Sequence, residues 1–407
     1  MSKNSIVKLT RMAHGAKAIG KLDGRTVFVA GGLPNETVRV EVVREKGRTA
    51  EAKIVEVIKA ARERIEPRCE PADIPIADFQ HINYKAQLRF KEQIVVDQLE
   101  RVGKLKGVSA EPIMPHPQPW GYRMATTLSK TPDDRLGYWS RSKRRVVPAQ
   151  ACAVLHPTLR DAMRDIDLEL TDLIKLHVRV GSDDAVQLAF EMRDAEPPTV
   201  EIDFPVSVAL VMPDGVAATL IGDPFLFQTI NGRNFRVSPG SPFQVSPDGA
   251  EMLTTAIADL AMLYGDELVF DCFSGVGVTT DTLATYAEEV IGIEVNADAV
   301  EDAAVNLDHT DNVALYNDWL ETALPAIGRT ADILVLDCDE NGLSNEAGFA
   351  VVNHGARRIV YSNPNISTAA RDARNLAGAG YELVRVRPID TLPQTFQIHT
   401  VSMWRKT

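Results

Sequence analysis

Cysteine is scarce in this chain of 407 residues: Cys69, Cys152, Cys272 and Cys338 lie far apart, with no CxxC pair. Such spacing argues against a disulfide framework and against a zinc ribbon, and reduced thiols fit a cytoplasmic chain. No run of about eighteen apolar residues is present, so no membrane span is expected, and the start, MSKNSIVKLT, has no hydrophobic signal core. Also absent are a Walker loop, an H-E-x-x-H pair and a G-x-S-x-G elbow, while the eight histidines are scattered. Internal repeats and low-complexity tracts are lacking too. Basic residues nearly vanish from 265–350, where one Arg faces 19 acids, so this part meets a polyanion only through a localised cleft.

Positive charge is concentrated elsewhere. Residues 1–68 carry 15 Lys or Arg against 8 Asp or Glu, and a second cluster (Arg123, Lys130, Arg135, Arg141, Lys143, Arg144 and Arg145) falls between 120 and 150. Basic runs are often only solvated faces, yet two of them on a chain of formal net charge -12 favour a nucleic-acid partner. The apolar fraction of 45% is that of a globular protein, and the length suits two or three domains.

Residues 5–58 alternate β-prone segments with turns. Asp23-Gly24 signals a hairpin, and Gly31-Gly32 with Pro34-Asn35 marks another turn. This pattern predicts a small barrel of the OB type, a common nucleic-acid platform, although a purely structural barrel has the same pattern. From Tyr84 to Val102 the apolar positions Leu88, Val95, Leu99 and Val102 follow helical spacing, with Gly103 as a stop. The stretches AVQLAFEMRD, TVEIDFPVSVALVM and VAATLIG then predict an antiparallel, mixed domain up to about residue 240. Beyond it strands alternate with helices, the signature of a parallel sheet. ADILVLD and RRIVYS suit buried strands, and Val300, Ala303, Ala304 and Leu307 form one helical face between strands. After Pro364, Ser367 or Thr368 is placed to cap a helix ending near Gly378 and Gly380, followed by two last strands, YELVRVR and HTVSMWR.

The most informative stretch is LVFDCFSGVGVTT, Leu268 to Thr280, in which a short apolar strand runs into Asp271 and the glycine pair Gly275 and Gly277. A second strand ends on Glu294, 19 residues beyond Gly275. Glycines let the backbone pass close to a ligand, and an acid at the tip of the next strand accepts both hydroxyls of a ribose. The third glycine of G-x-G-x-x-G is missing, which favours a smaller nucleoside such as S-adenosylmethionine over a dinucleotide. An ordinary βα turn is the plainer alternative.

In order along the chain stand the early barrel, Gln80-His81 before a helix, WGYRMATTLS at 120–129, LGYWSR at 136–141, SPGSPFQVSP at 238–247, DCFSGVGV, and NPNISTAARDARNLAGAGYELVRVRPIDTLPQT at 363–395. Over nearly its whole length the chain resembles the RNA uracil-C5 methyltransferases that carry an N-terminal TRAM domain. The resemblance implies a multidomain α+β and α/β fold: a TRAM-like, OB-type barrel over 1–62, a mixed central domain over 63–240 and a Rossmann-like methyltransferase domain over 241–407. It implies S-adenosylmethionine as cofactor, with Gln244, Phe273, Gly275, Gly277, Glu294, Asp318 and Asp337 at cofactor and substrate-pocket positions. Phe273 would stack on the ligand, Glu294 hold the ribose and Asp318 accept from the adenine amino group. Asp337, ending its strand near the reacting centre, is the catalytic candidate.

The chain departs from the family where the chemistry is done. C5 of uracil is a poor nucleophile, so the family attacks C6 with a cysteine thiolate and later removes the C5 proton with a base. Here the cysteine position is Pro364, and the glutamate position after the P-x-T element is His399. His399 is equally readable as a strand histidine beside the core. The family's DPPR becomes Asp337, Cys338, Asp339 and Glu340, which sets two extra negative charges beside an RNA site. Val278 stands where many members have a polar residue. Cys338 and Cys272 read as small buried thiols. Cys69 and Cys152 take the outer positions of an iron-sulfur site found in some members, but Pro75 and Asp78 replace the middle pair, so no cluster is expected. The expectation is a SAM-binding protein of the RNA methyltransferase class acting on structured rRNA or tRNA, without 5-methyluridine formation by the family mechanism. Two alternatives stay open: an inactive RNA-binding or ribosome-associated protein, and methylation of an RNA ring nitrogen that needs no covalent catalysis.

Overall fold

The computed structural model describes residues 5–70, 74–140, 145–148, 152–168, 171–194, 196–197, 199–213 and 215–407. Arg141, Lys143 and Arg144 of the second basic cluster lie outside the described residues.

Strands β1 (Ser5–Ala13), β2 (Lys17–Leu22), β3 (Arg25–Ala30), β4 (Thr37–Lys46) and β5 (Thr49–Lys59) close a barrel in the order β1-β2-β3-β5-β4. Alternation drives the closure: Val7 and Leu9, Val27 and Val29, and Val38 and Val40 point inward and are buried. Asp23 and Gly24 join β2 to β3 with φ of 49° and 75°, the left-handed pair that a two-residue hairpin turn requires. Lys17, Arg25, Arg39 and Lys53 pair with the barrel carboxylates Glu51, Glu45, Glu56 and Glu41, so the barrel is less cationic at its surface than its composition suggests.

Helix α1 (Tyr84–Arg101) is capped by the Asn83 side chain, which accepts from the Ala86 N–H at 3.0 Å. Its stripe of Ala86, Phe90, Ile94, Val95 and Leu99 joins one continuous core with the barrel and the C-terminal sheet. A second seam is polar. Lys91 and Asp390, both fully buried, pair at 2.5 Å, and Gln87 Nε2 donates to Gln394 Oε1 at 2.8 Å. The Asp78 carboxylate accepts from the Phe396 N–H at 2.9 Å. The closing segment 390–397 is thereby held to residues more than 290 positions earlier.

The central sheet comprises β6 (Ala125–Lys130), β7 (Leu136–Ser140), β8 (Arg145–Pro148), β10 (Leu173–Val180), β11 (Val186–Met192), β13 (Ser207–Val211) and β14 (Ala217–Ile221), in the order β14-β13-β11-β10-β6-β7-β8. All of its pairs are antiparallel except β11 with β13. Helix α2 (Pro157–Asp165) and a short ladder of β9 (Asp167–Leu168) with β12 (Val200–Glu201) flank it, and a hairpin of β15 (Leu226–Ile230) and β16 (Arg233–Val237) leads onward.

The C-terminal part alternates α3 (Pro247–Ala261), β17 (Leu268–Cys272), α4 (Val278–Ala284), β18 (Glu289–Glu294), α5 (Ala297–Asn306), β19 (Val313–Asn317), α6 (Leu320–Ala326), β20 (Ile333–Asp337), α7 (Asn345–His354), β21 (Arg358–Asn363), α8 (Ile366–Gly378), β22 (Tyr381–Ile389) and β23 (His399–Lys406). The sheet order is β19-β18-β17-β20-β21-β23-β22, with β23 antiparallel to both neighbours. The strand order reverses between β17 and β20, and ligands of open α/β sheets bind beyond the carboxyl ends of the strands at such a reversal.

Three expectations need correction. Cys69 and Cys152 form a disulfide, with Cα atoms 5.1 Å apart across a sequence separation of 83, so the reduced-thiol reading fails for this pair. Gln80 brings Cys69 into place, its amide accepting from the Cys69 N–H at 2.7 Å and donating to the Cys69 carbonyl at 3.1 Å. The cap of α8 is Asn365, whose side chain accepts from the Ser367 N–H, rather than Ser367 or Thr368. The buried face of α5 is Ala299, Asp302, Ala303 and Asn306, with Ala304 exposed. Two polar residues belong to that face because they hold a neighbouring segment. Asp302 accepts from Arg236 Nε (2.7 Å), the Ser238 N–H (2.6 Å), Ser238 Oγ (2.8 Å) and Ser241 Oγ (2.6 Å).

Candidate cofactor and active site

After β17 the chain reverses tightly. Phe273 has φ 66°, unusual for a bulky residue, and its N–H and that of Ser274 both donate to the Ile293 carbonyl. Gly275 has φ 54°, and a Cβ there would meet no atom within 4 Å, so the turn faces open space. Gly277 is small for packing: a Cβ would stand 2.8 Å from Leu307 Cδ1. Glu294 organises the turn, one carboxylate oxygen accepting from the Gly275 N–H at 3.0 Å and the other from the Asn296 N–H at 2.8 Å. Each oxygen keeps a second lone pair for a ligand hydroxyl. The Glu294 carbonyl takes the Asp318 N–H at 3.1 Å, which brings Asp318 to the same rim. Val278 follows at the start of α4, partly buried against the small clusters that hold Phe243. Gln244 is half-buried beside Val245, whose carbonyl accepts the Met124 N–H of the central part at 2.8 Å.

The structure thus brings Phe273, Gly275, Gly277, Glu294, Asp318 and Asp337 to the carboxyl ends of β17, β18, β19 and β20. Sequence reasoning named Asp271 only as the end of its strand and assigned no role to it or to Ser274. Asp271 is fully buried, with Oδ2 accepting from Thr280 Oγ1 at 2.6 Å, while Asp271 Oδ1 and Ser274 Oγ are buried with no partner. Burial pushes the Asp271 carboxyl up to about 7, opposed by the Thr280 hydrogen bond and helped by Asp337 and Glu294 nearby. Unpartnered polar atoms beside an open glycine turn suit a polar ligand.

At the end of β20, Asp337 Oδ1 accepts from Ser362 Oγ at 2.6 Å, and Ser362 Oγ lies 2.8 Å from His399 Nε2. Burial raises Asp337 to about 6 against the opposing Ser362 hydrogen bond. Burial also drives His399 down to about 3, so its ring is neutral at pH 7. His399 therefore lies where β23 meets β21, bonded into the strand ends through Ser362 rather than merely packed. Ser362 and Asn363 went unremarked in the sequence, although hydroxyl and amide residues at the end of an apolar parallel strand were a visible signal. Asn363 donates to the Asp339 carbonyl at 2.7 Å and accepts from the Asn365 N–H at 2.8 Å, framing Pro364. Cys338 and Cys272 are buried, and burial raises both thiols well above their ordinary range, so neither is a thiolate near neutral pH. Asp339 and Glu340 are exposed at the rim.

Residues 6–55 match the TRAM domain family. An uncharacterized RNA methyltransferase of Gloeobacter violaceus is 30% identical over 438 aligned residues, covering 97% of this chain and 95% of that protein. The chain belongs to the TRAM-domain RNA methyltransferase family. Another member, an uncharacterized RNA methyltransferase of Aquifex aeolicus, is 28% identical over 425 residues, 98% of this chain and 99% of the other. A Pyrococcus abyssi tRNA (uracil-54, C5)-methyltransferase solved with S-adenosyl-L-homocysteine shares the fold, with a TM-score of 0.73 at 21% identity over 98% of this chain and 100% of that one. In this TRAM-domain family member the N-terminal barrel and C-terminal Rossmann-like sheet are those the resemblance implied.

Proposed function

We propose that the chain binds S-adenosylmethionine at the carboxyl ends of β17 and β18 and transfers its methyl group to structured ribosomal or transfer RNA. The observation that carries this reading is the open turn at Gly275, pinned to a buried Glu294 that keeps lone pairs for a ribose diol. Family membership supports it, as does the S-adenosyl-L-homocysteine found in the Pyrococcus abyssi enzyme of the same fold. Glu294 would hold the ribose, Asp318 the adenine amino group and Phe273 the face of the base, with Gln244 and the Gly275 and Gly277 turn around them. The bound cofactor would supply an electrophilic methyl group, and Asp337 would stand beside the acceptor. In this reading 1–62 grips RNA, 63–240 guides it with its basic cluster, and 241–407 carries the chemistry.

Covalent uracil activation does not belong to this site, because Pro364 offers no nucleophile and both free thiols are buried. That same deficit favours a second reading, a lapsed enzyme that retains RNA binding. The deciding assay incubates the protein with methyl-labelled S-adenosylmethionine and RNA from cells lacking it, followed by digestion to nucleosides. Label in any nucleoside supports the enzyme, and none, with S-adenosylhomocysteine binding intact, supports the second reading. Glu294→Ala should weaken S-adenosylhomocysteine binding by at least about tenfold, since a charge-assisted hydrogen bond contributes roughly 1.5–3 kcal/mol. Unchanged affinity in calorimetry would remove Glu294 from the pocket.

A further inference from the structure

We propose that Asp337 is the proton acceptor of this site, held by a donor chain from His399 through Ser362, and that the methylated atom is a nucleobase nitrogen bearing hydrogen. The proposal rests on the methyltransferase reading above and names its acceptor class.

Hydrogen bookkeeping gives the chain its direction. Ser362 has one hydroxyl hydrogen, and its oxygen lies 2.6 Å from Asp337 Oδ1 and 2.8 Å from His399 Nε2. If Asp337 is ionised, that hydrogen goes to the carboxylate, and His399 must present Nε2–H to the serine oxygen. If Asp337 instead donates to Ser362, the hydroxyl must turn to a bare Nε2, and His399 carries its hydrogen on Nδ1. The tautomer of His399 therefore reports whether Asp337 is a base or an acid. Ser362 and His399 are buried, with His399 keeping only 2% side-chain exposure, whereas Asp337 keeps 19%. The accessible end of the chain is the carboxylate, and the hydrogen bond fixes one of its oxygens. The titratable neighbours are Asp271 on β17, Cys338 and Asp339 just beyond β20, and His399 on β23. None of them is a cation at pH 7, and Asp337 rises to about 6, a value suited to accepting a proton near neutrality.

A nitrogen acceptor matches what the site has and lacks. Carbon needs a nucleophile to activate it, and no thiolate stands here, while nitrogen brings its own lone pair and needs orientation and a proton sink. In the transfer the nitrogen lone pair forms the N–C bond as the sulfonium C–S bond breaks. The thioether leaves neutral, and the N–H proton passes to Asp337 and then to solvent as product departs. Asp337 touches substrate in this scheme, and Ser362 and His399 are positioning residues.

The test begins without turnover, on the full chain labelled with 15N-histidine and 13C-aspartate, with His399→Gln and Asp337→Asn used for assignment. His399 should be neutral and carry its hydrogen on Nε2 at pH 8. Asp337 should titrate near 6, Ser362→Ala should move that titration upward, and Ser362→Thr, which keeps the hydroxyl, should restore it. A Nδ1–H tautomer at pH 8, or an Asp337 titration unmoved by Ser362→Ala, would overturn the donor chain. The labelled-nucleoside assay then reads the acceptor: label on nitrogen, lost by about 10²- to 10⁴-fold in Asp337→Asn, is the expected result. Label on carbon overturns this proposal and leaves the methyltransferase reading standing. No label at all, with S-adenosylhomocysteine still bound, overturns both.

Discussion

Replacing Lys91 by methionine should destabilise the protein far more than a typical surface change, because it leaves the carboxylate of Asp390 buried without its cation. Both side chains are fully buried and their charged atoms are 2.5 Å apart, between α1 and the closing segment. At an effective dielectric near 20 the attraction over that distance is on the order of 6–7 kcal/mol, against which stands the desolvation of two ions. The net worth of the pair is therefore small, but removing one partner leaves the desolvation of the other unopposed, about 3–5 kcal/mol. Asp390 Oδ2 lacks a hydrogen-bond partner among the described residues, and the Tyr84 hydroxyl beside the carboxylate brings no positive charge to replace that of the lysine. Lys91→Met should lose about 3–5 kcal/mol in equilibrium urea unfolding, and Lys91→Met with Asp390→Asn should recover at least about 2 kcal/mol of that loss. A single variant within about 1 kcal/mol of wild type, or a double variant no better than the sum of the singles, would refute the reasoning.

Non-reducing denaturation should expose two titratable thiols, Cys272 and Cys338, and reduction of Cys69–Cys152 should lower stability by about 2–4 kcal/mol in urea. Four free thiols would show that the bridge does not form. Asp271 has a folded pKa of about 7 against 3.8 for the free side chain, so its contribution is greatest below about pH 4 and is lost as pH rises through 7. The stability difference between wild type and Asp271→Asn should therefore shift in favour of the variant between pH 4 and 8, and a flat difference would contradict the burial argument. Asp302→Ala strands Arg236, Ser238 and Ser241 together and should cost about 3–5 kcal/mol in the same assay. A loss below about 1 kcal/mol would mean that these donors find other partners.

The features legible in the sequence were those whose cause is local. Asp23-Gly24 announced its hairpin because left-handed residues turn two strands in two positions, and helical spacing announced α1 itself, although of Leu88, Val95, Leu99 and Val102 only Val95 and Leu99 belong to its buried stripe. The Gly275 turn and Glu294 were readable for the same reason: strand, glycine and acid lie within one βαβ unit, β17-α4-β18. What escaped depended on partners far along the chain. Asp302 and Asn306 were left out of the apolar face expected for α5, and only the fold brings Arg236, Ser238 and Ser241 onto them. The resemblance had linked Cys69 and Cys152 only as outer positions of a cluster site, and their pairing showed once Gln80 and the return of the chain through 152–155 set them side by side. Asn365 won the cap of α8 over Ser367 and Thr368 because Asn363, held by the Asp339 carbonyl, receives the Asn365 N–H and starts the helix two residues earlier than the hydroxyls alone suggested.

The continuous core through the barrel, α1 and the C-terminal sheet makes the N-terminal barrel a fixed fitting rather than a tethered arm. His14 of the barrel meets Phe396 edge-on at 5.4 Å, and Arg11 reaches Asp97 of α1 at 3.0 Å, so the joint is clasped on more than one side. If RNA is gripped by the barrel, as proposed above, this fixed joint would present it to the sheet at a set distance and angle. On the proposed function the molecule would work as a gauge, choosing its target by the three-dimensional span between a handhold and a nucleotide rather than by the bases between them.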